Sequence, residues 1–357
     1  MNGIGLQKKE IEQAIDKVIE GMIGLKPAIK EDTPASIVSM DVWDWSQGVG
    51  LFSLFLYYKE TKDSEILSYL TDWYDKRLAE GLPKPNVNTM CPLLTLSYLY
   101  EETFRPKYLH ICMEWAEYAA GRMPRTPEGG IAHTAVDSPN EGELWDDTLY
   151  MTVLFLGRMG MLLKRDDYVQ ESVRQFLVHL KYLTDVKTGL FFHGWTFKEG
   201  HRFAEALWGR GNAWYTAGLV DFLDMVEVQS GVKGFLLSSL DRQIGKLAEL
   251  QADSGMWHTL LNDPSSYEET SATAGFAYGI LKAVRRGYVG ADCGAVGFRA
   301  LKAVLDRIDG NGVARGVSYG TRMGRTLDFY KEIPQCPMPY GQSMALLMLV
   351  EGSKHLD

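Results

Sequence analysis

The stretch EGELWDDTLYM, residues 141–151, places four carboxylates and two aromatic rings directly before the apolar run TVLFL at residues 152–156. A solvated acidic cluster usually contains no tryptophan and does not lead straight into apolar sequence. The acids are therefore expected at the mouth of an apolar structure, where burial and neighbouring charges perturb the pKa of a carboxyl group. Such a setting is typical of an acid/base catalyst that acts on a sugar-sized molecule.

The same plan, a short polar or glycine-rich segment followed by an apolar helix, occurs six times along the chain. The six polar segments are WDWSQGVGL (43–51), NVNTMCPL (86–93), WDD (145–147), WGRGNAW (208–214), TSATAGF (270–276) and YGQSMAL (340–346). They recur at roughly 45 to 65 residues, a spacing that fits one helical hairpin plus a loop. We therefore predict six hairpins closed into an all-α toroid, a single domain spanning residues 1–357. An open helical solenoid is the alternative.

Closure into a toroid would have a consequence for ligand binding. Six inner helices would start at one rim, so their polar N-terminal segments would converge on one mouth. The positive ends of their dipoles would then surround any anion bound there. Two strand-like stretches, residues 188–196 and 316–321, are interpreted as loop hairpins over this mouth.

Composition restricts the class of protein. A hydrophobic content of 46% is enough for a large core, and a net charge of −9 with no basic run argues against a nucleic-acid surface. The four cysteines (Cys91, Cys112, Cys293 and Cys336) show no metal-binding spacing, so free thiols are expected. Residues 7–15 form an amphipathic pattern rather than a signal peptide, and no apolar run is long enough to cross a membrane. A cytoplasmic enzyme is the expectation.

Asp146 and Asp147 are the leading catalytic candidates. On a regular helix, adjacent residues point about 100° apart and cannot share a proton. Asp147 is predicted to face the cavity, because Leu144 and Met151 lie near its helical face. Burial and the neighbouring Glu143 would raise the pKa of Asp147, whereas a helix N-terminus would lower it, so both directions stay open. Dipole-complementing acids at a helix start are the alternative to catalysis.

Other side chains with suitable chemistry are spread along the chain. His193 lies in a glycine-flanked aromatic loop and is predicted to meet ligand, with loop bracing as the alternative. Arg210, between Trp208 and Trp214, could grip a carboxylate bidentately while a ring stacks on a sugar, with core packing as the alternative. The amide of Asn88 suits sugar hydroxyls but is also ordinary turn chemistry.

Metal and cofactor chemistry is not expected. His133 lies four residues before Asp137, but no third ligand follows at a useful spacing. The chain also contains no Gly-x-Ser-x-Gly elbow, no Walker loop, no His-Glu-x-x-His and no complete dinucleotide-binding glycine motif.

Taken together, several motifs resemble those of a known family. The motifs are WDWxQGVG (43–50), NxNT (86–89), WxDTLYM (145–151), GWT (194–196), WxRGN (208–212), GVS (316–318) and PYGQ (339–342). In this order they resemble the unsaturated rhamnogalacturonyl hydrolases of glycoside hydrolase family 105. The unsaturated glucuronyl hydrolases of family 88 are similar in fold and less so in motif.

The resemblance implies an (α/α)6 barrel that removes a 4,5-unsaturated uronic acid from the non-reducing end of a short oligosaccharide. An unsaturated rhamnogalacturonan disaccharide is the expected substrate, and no metal or organic cofactor is implied. Asp147 falls on the general acid/base, and Asn88 falls where family 88 has a second aspartate, so one carboxylate would suffice. The implied substrate-binding residues are Asp44, Trp45, Asn88, His133, His193, Trp208, Arg210 and Trp214.

Three alternatives stay open at this point. One is an unsaturated glucuronyl hydrolase that acts on fragments of other polysaccharides. Another is a conventional hydrolase or a sugar epimerase, although an epimerase would usually need paired histidines in the mouth. The third is a non-catalytic carbohydrate-binding protein on the same fold.

Overall fold

Nearly all regular structure in the computed structural model, which describes residues 7–26, 38–135 and 140–356, is helical. The inner helices are α2 (Trp45–Thr61), α4 (Val87–Thr103), α6 (Leu154–Leu163), α8 (Gly209–Met225), α10 (Thr270–Arg285) and α13 (Pro339–Ser353). The outer helices are α1 (Lys8–Ile23), α3 (Ser64–Glu80), α5 (Pro106–Gly121), α7 (Asp166–Leu183), α9 (Ser230–Leu250) and α11 (Gly294–Leu305). The connections contain the short helix α12 (Leu327–Lys331) and the strands β1 (Glu143–Trp145) and β2 (Gly194–Thr196).

Inner and outer helices differ in how much of their surface is apolar. In α10, every residue from Thr270 to Ala283 is buried. The outer helix α3 buries one stripe only, which includes Ile66, Leu70 and Tyr74. A helix that is apolar or small all round is stable only with protein on every side, whereas an amphipathic helix covers the exterior. The sequence pattern therefore decides which helices line the centre.

The inner helices form a closed ring. Each packs on the next inner helix along the chain, and α13 packs back on α2. The first five inner helices each pack on the outer helix that follows them, and α13 pairs with α1 from the other end of the chain. The amide of Gln342 in α13 links them by donating to the backbone oxygen of Val18 at 3.4 Å. The predicted (α/α)6 barrel is thus confirmed, and the open solenoid is wrong.

The inner helices run parallel, so their N-termini share one rim. Ser343 and Val49 are both the fifth residue of their helices, and the Ser343 hydroxyl donates to the Val49 oxygen at 2.7 Å. Gly48 lies in the same turn of α2 and touches Pro92 of α4 so closely that a Cβ would come within 2.6 Å of the proline nitrogen. Contacts at matching distances from the helix starts require parallel axes.

The structure corrects the prediction that the acidic stretch is helical throughout. Residues Glu143–Trp145 form β1, which pairs antiparallel with β2, with Leu144 opposite Trp195. The helical backbone begins only at Asp147 and passes through a π-helical turn, Leu149–Val153, before α6. Pairing with the loop that contains His193 has overridden local helix preference, and a π-turn of this kind often marks a functional site.

Some smaller expectations can also be compared with the structure. All four cysteines, which lie within the described ranges, are thiols that form no disulfide bond, as expected. Across the described ranges, no helix is both long and apolar enough to span a bilayer. Residues 316–321 form a loop, in which Ser318 makes an isolated bridge to Gln335. Asp137, the proposed partner of His133, lies outside the described residues.

Candidate active site

The two adjacent aspartates lie where the β1–β2 ribbon meets the start of an inner helix. The backbone N–H of Asp146 donates to the oxygen of His193 at 3.1 Å, which ties the two segments together. The side chain of Asp147 is 15% exposed, and its Oδ2 lies 3.4 Å from Nε2 of His193. Asp146 is fully buried beneath it. Asp147 therefore faces the mouth, and Asp146 lies behind it.

Asp146 occupies an unusual position for a carboxyl group. It packs on Gly211 at the start of α8, and neither of its oxygens makes a well-formed hydrogen bond to any group in the described ranges. An ionised carboxylate without partners is very costly to bury. Burial, followed by the negative charge of Asp147, raises the pKa of Asp146 well above its usual value. The nearby Arg210 opposes this rise without cancelling it, so Asp146 holds a proton.

Asp147 behaves in the opposite way. Burial acts to raise its pKa, but the close contact with His193 outweighs burial, and the pKa falls to about 2. The protonated form is therefore favoured at Asp146 and the carboxylate at Asp147. The premise that the two aspartates lie on one regular helix is wrong, because Asp146 lies in a turn before the helix begins. Glu143 lies in β1, where its carboxylate accepts the Trp145 indole N–H at 2.9 Å, rather than one helical turn from Asp147.

Two buried histidines flank the carboxyl pair. The ring of His133 stacks on Trp145 at 4.2 Å, and its Nδ1 forms a 3.0 Å hydrogen bond with the hydroxyl of Thr148. Burial lowers the pKa of His133 to about 4, although Asp147 acts in the opposite direction. Burial also lowers the pKa of His193, again against the effect of Asp147. Both rings are thus neutral near pH 7.

Arg210 is held between aromatic rings and a loop. Its guanidinium carbon lies 4.6 Å from the ring centroid of Trp208 and 4.8 Å from that of Tyr340. Its terminal nitrogens donate to Ser318, to the Tyr319 oxygen at 3.3 Å and to the Thr321 hydroxyl at 2.8 Å. Its Nε is buried without a partner in the described structure. The two terminal nitrogens, which were expected to bind a carboxylate, are therefore occupied by the loop. Only the Nε–H and the positive charge of Arg210 are available to a ligand.

A cluster of aromatic rings continues from Arg210 around the mouth. Trp45 is partly buried and stacks on Tyr340 with ring centroids 4.6 Å apart. Trp214 meets Trp45 edge-on at 6.3 Å, and its indole N–H is buried with no described partner. Trp208, Trp214 and Tyr340 are fully buried, which agrees with the core-packing alternative, whereas the partly exposed Trp45 has an apolar face suited to a sugar.

Two of the predicted site residues, Asp44 and Asn88, belong to the N-terminal caps or first turns of inner helices. Asp44 is the N-cap of α2 and accepts the Trp45 N–H at 2.7 Å. Asn88 lies partly buried in the first turn of α4, two residues after the capping residue Asn86, which forms a capping box with Thr89. Asp44 and Asn88 both belong to inner-helix starts at the rim. The backbone N–H of Asn88 donates to the side-chain oxygen of Asn86 at 2.8 Å, which is turn chemistry of the expected kind.

Sequence reasoning missed Glu269 and Tyr330. Glu269 is fully buried, caps α10, accepts the Ser318 N–H at 2.8 Å and lies 4.0 Å from Arg210. Its place just before a polar segment could have identified it as a cap, although not as a partner for Arg210. Tyr330 reaches His193 from 137 residues away, and no sequence signal indicated that contact.

The ligand atoms of Asp146, Asp147 and His193 lie within 4.8 Å of one another, close enough to consider a metal ion. Metal ligands must be deprotonated, and burial with the charge of Asp147 raises the pKa of Asp146, so a cation would have to displace the proton of Asp146. We interpret the trio as an acid/base cluster.

A barrel of this type, with a carboxyl pair and tryptophans at one rim, is typical of glycosidases. The chain belongs to Glycosyl Hydrolase Family 88, whose profile matches residues 15–356. This confirms the resemblance to families 88 and 105, and the protein is a glycosidase.

Individual relatives agree with this assignment. The unsaturated rhamnogalacturonyl hydrolase YesR of Bacillus subtilis is 33% identical over 317 residues, which cover 87% of this chain and 90% of YesR. A crystal structure from Salmonella enterica, described as a possible member of the GH105 family, has a TM-score of 0.95 at 43% identity, covering 98% of this chain and 95% of that one. One from Klebsiella pneumoniae with the same description has a TM-score of 0.94 at 44% identity, covering 98% and 94%.

Proposed function

We propose that the protein hydrolyses short oligosaccharides that end in a 4,5-unsaturated uronic acid, and that an unsaturated rhamnogalacturonan disaccharide is its substrate. The observation that supports this most strongly is the carboxyl pair, in which Asp147 faces the mouth beside His193. The similarity to YesR over most of both chains supports the choice of rhamnogalacturonan.

The chemistry follows from the substrate. The C4=C5 bond is part of an enol ether, so C4 is electron-rich and accepts a proton from an acid. Proton transfer from Asp147 to C4 leaves positive charge at C5 and the ring oxygen. Water adds to C5 and returns its proton to Asp147. The resulting hemiketal opens to a ketone at C5, and C1 then expels the neighbouring sugar as an alcohol. The net reaction consumes one water.

One carboxyl group can serve both steps in this scheme. It is an acid when C4 is protonated and a base when water adds, so the two-carboxylate spacing of conventional glycosidases does not apply. Asn88 lies in the position where family 88 is expected to have an aspartate, and its neutral amide is compatible with a mechanism that uses one carboxyl group. We propose that its amide contacts a sugar hydroxyl.

The proton for the first step is proposed to come from the shared pair. In the free enzyme Asp146 holds it, because Asp146 has the raised pKa and Asp147 the lowered one. A bound uronate adds negative charge at the mouth, which favours protonation of the exposed member, Asp147. The positive charge of Arg210 and the inner-helix N-termini would hold the uronate carboxylate. Trp45, which is partly exposed, would contact a sugar face.

The test is the substitution Asp147→Asn with Asp72→Asn, on the exposed face of α3, as control. Hydrolysis of an unsaturated disaccharide is measured as the loss of the ultraviolet absorbance of its conjugated C4=C5 double bond and carboxyl group. We expect the Asp147 variant to lose about 10²–10⁴-fold in kcat while it stays folded at the assay temperature. Turnover close to wild type in that variant would refute the role of Asp147.

The choice of substrate is tested separately. Wild-type protein is given a panel of lyase-generated unsaturated disaccharides with rhamnose, another neutral sugar or a sulfated sugar at the reducing end. Mass spectrometry should find the uronate product released fastest from the rhamnose compound. Faster release from a glucuronyl disaccharide would move the specificity to that class, and binding without product would indicate a non-catalytic protein.

A further inference from the structure

Tyr330 contacts the carboxyl–histidine cluster from the C-terminal part of the chain. It lies on α12, is almost fully buried, and its hydroxyl is 2.7 Å from Nδ1 of His193. Its ring packs edge-on against the imidazole at 5.6 Å and also contacts Trp208. The mechanism described above does not use this side chain.

The direction of the Tyr330–His193 hydrogen bond follows from the other neighbours of the hydroxyl. The backbone N–H of Gly324 donates to the Tyr330 oxygen at 3.1 Å, so that oxygen already accepts one hydrogen bond. Its own proton can go to Nδ1 of His193 or to the sulfur of Met323 at 3.7 Å. An imidazole nitrogen is a far better acceptor than a thioether. Nδ1 therefore accepts the proton of Tyr330.

The protonation of the second imidazole nitrogen, Nε2, follows from this. A neutral imidazole carries one proton, and if Nδ1 accepts, that proton is on Nε2. Nε2 lies 3.4 Å from Oδ2 of Asp147, which is close enough for a strong electrostatic interaction but is not a well-formed hydrogen bond in the free protein. A proton on Nε2 therefore places positive charge beside the carboxylate. The opposite tautomer would direct a nitrogen lone pair at the same negative oxygen, which is unfavourable.

We propose that Tyr330 is a positioning residue, which holds His193 in the Nε2–H tautomer so that the ring presents an N–H, rather than a lone pair, to the carboxylate of Asp147. The tautomer of His193 is inferred from geometry alone, whereas its effect on the reaction rate rests on the proposed function. When Asp147 gives its proton to C4, negative charge develops on its oxygens, and a fixed donor aimed at them lowers the barrier. Tyr330 acts on the reaction only through His193.

The electrostatic surroundings of His193 are compatible with this role. The charged or titratable groups that face it or lie beside it are Asp146, Asp147, His133, Arg210 and Tyr330. Arg210 disfavours a charged imidazole, whereas Asp147 favours it, and burial dominates both. Burial also raises the pKa of Tyr330, so its hydroxyl keeps the proton it donates.

The direct test is nuclear magnetic resonance of the wild-type protein labelled with ¹⁵N in its seven histidines. The His193 signals are assigned by their absence in His193→Gln. We expect a protonated-type shift for Nε2 and an unprotonated-type shift for Nδ1 near pH 7. The reverse pattern would overturn the proposal. This measurement needs neither substrate nor a Tyr330 variant, so its outcome is independent of the proposed function.

The second test is Tyr330→Phe, with Tyr168→Phe as matched control. Tyr168 is also buried and hydrogen-bonded, to Glu117 at 2.6 Å, but its partner is on the outer helix α5. In Tyr330→Phe we expect a mixture of His193 tautomers and a kcat about ten- to a hundredfold lower with little change in KM. The acid limb of the kcat/KM profile should move to higher pH, because the Asp147 carboxylate loses its donor. An unchanged tautomer in this variant, or equal losses in the control, would refute the proposal.

Discussion

The carboxyl group of Asp146 lies against the backbone of Gly211, where a Cβ atom would come within 2.0 Å of Oδ2. Asp146 and the first turn of α8 are therefore closer together than any side chain at residue 211 would allow. Glycine at that position is therefore a requirement of the carboxyl pair.

Gly211→Ala should disrupt this contact. Because the clash is with a fully buried carboxyl, we expect a loss of about 1–3 kcal/mol in the free energy of unfolding and a large loss of activity. Gly245→Ala on α9 is the control, since a Cβ there meets nothing within 4 Å and should leave stability equal or higher. Urea denaturation of both variants makes the comparison, and equal stability in the two would contradict the packing argument.

Asp146→Asn should make the protein more stable relative to wild type as pH rises. Burial and the adjacent charge raise the pKa of Asp146, so the folded wild type keeps a proton that the unfolded chain loses above about pH 4. That difference lowers wild-type stability as pH increases, and the neutral amide removes it. Unfolding free energies measured between about pH 4 and 8 should diverge in favour of the variant. Parallel curves would show that Asp146 is ionised normally.

Asp147→Asn should have the opposite pH dependence. Burial is outweighed by His193, which lowers the pKa of Asp147 to about 2, so the folded protein binds fewer protons than the unfolded chain near pH 3. The resulting stabilisation is complete above the unfolded pKa and is lost as pH falls through the folded one. The stability advantage of wild type over the variant should therefore shrink between about pH 5 and 2. An advantage that stays constant over this range would count against the His193 interaction.

Glu269→Gln should weaken the loop that holds Arg210. Glu269 is fully buried and accepts from Ser318, so losing its charge leaves Arg210 poorly compensated, at a cost of about 3 kcal/mol. Its neighbour Glu268 pairs with the exposed Arg307, and Glu268→Gln should cost less than about 1 kcal/mol. Thermal unfolding checks stability, and KM should rise in the first variant only. Equal effects in the two variants would refute a special role for Glu269.

The barrel itself was predictable because its signal is local and repeated. Six polar segments, each before an apolar helix, indicate inner helices without knowledge of any long-range contact, and Asp147, His193 and Arg210 stand out within or beside those segments. The start of the acidic helix was predicted wrongly, because β1 forms only where β2 lies next to it. Pairing energy between distant segments is not visible in a local pattern.

The repeated order of polar and apolar segments was enough to predict the helical toroid, and the resemblance of its motifs to a known family indicated the family and the candidate acid. Only the folded chain decided which aspartate holds the proton, because that depends on burial and on the distance to His193. It alone also decided that Glu269 and Tyr330 belong to the site, since both reach their partners through loops that meet at the rim. The proton affinity of a side chain and the direction of its hydrogen bonds depend on its neighbours in space. Few of those neighbours are adjacent in the sequence.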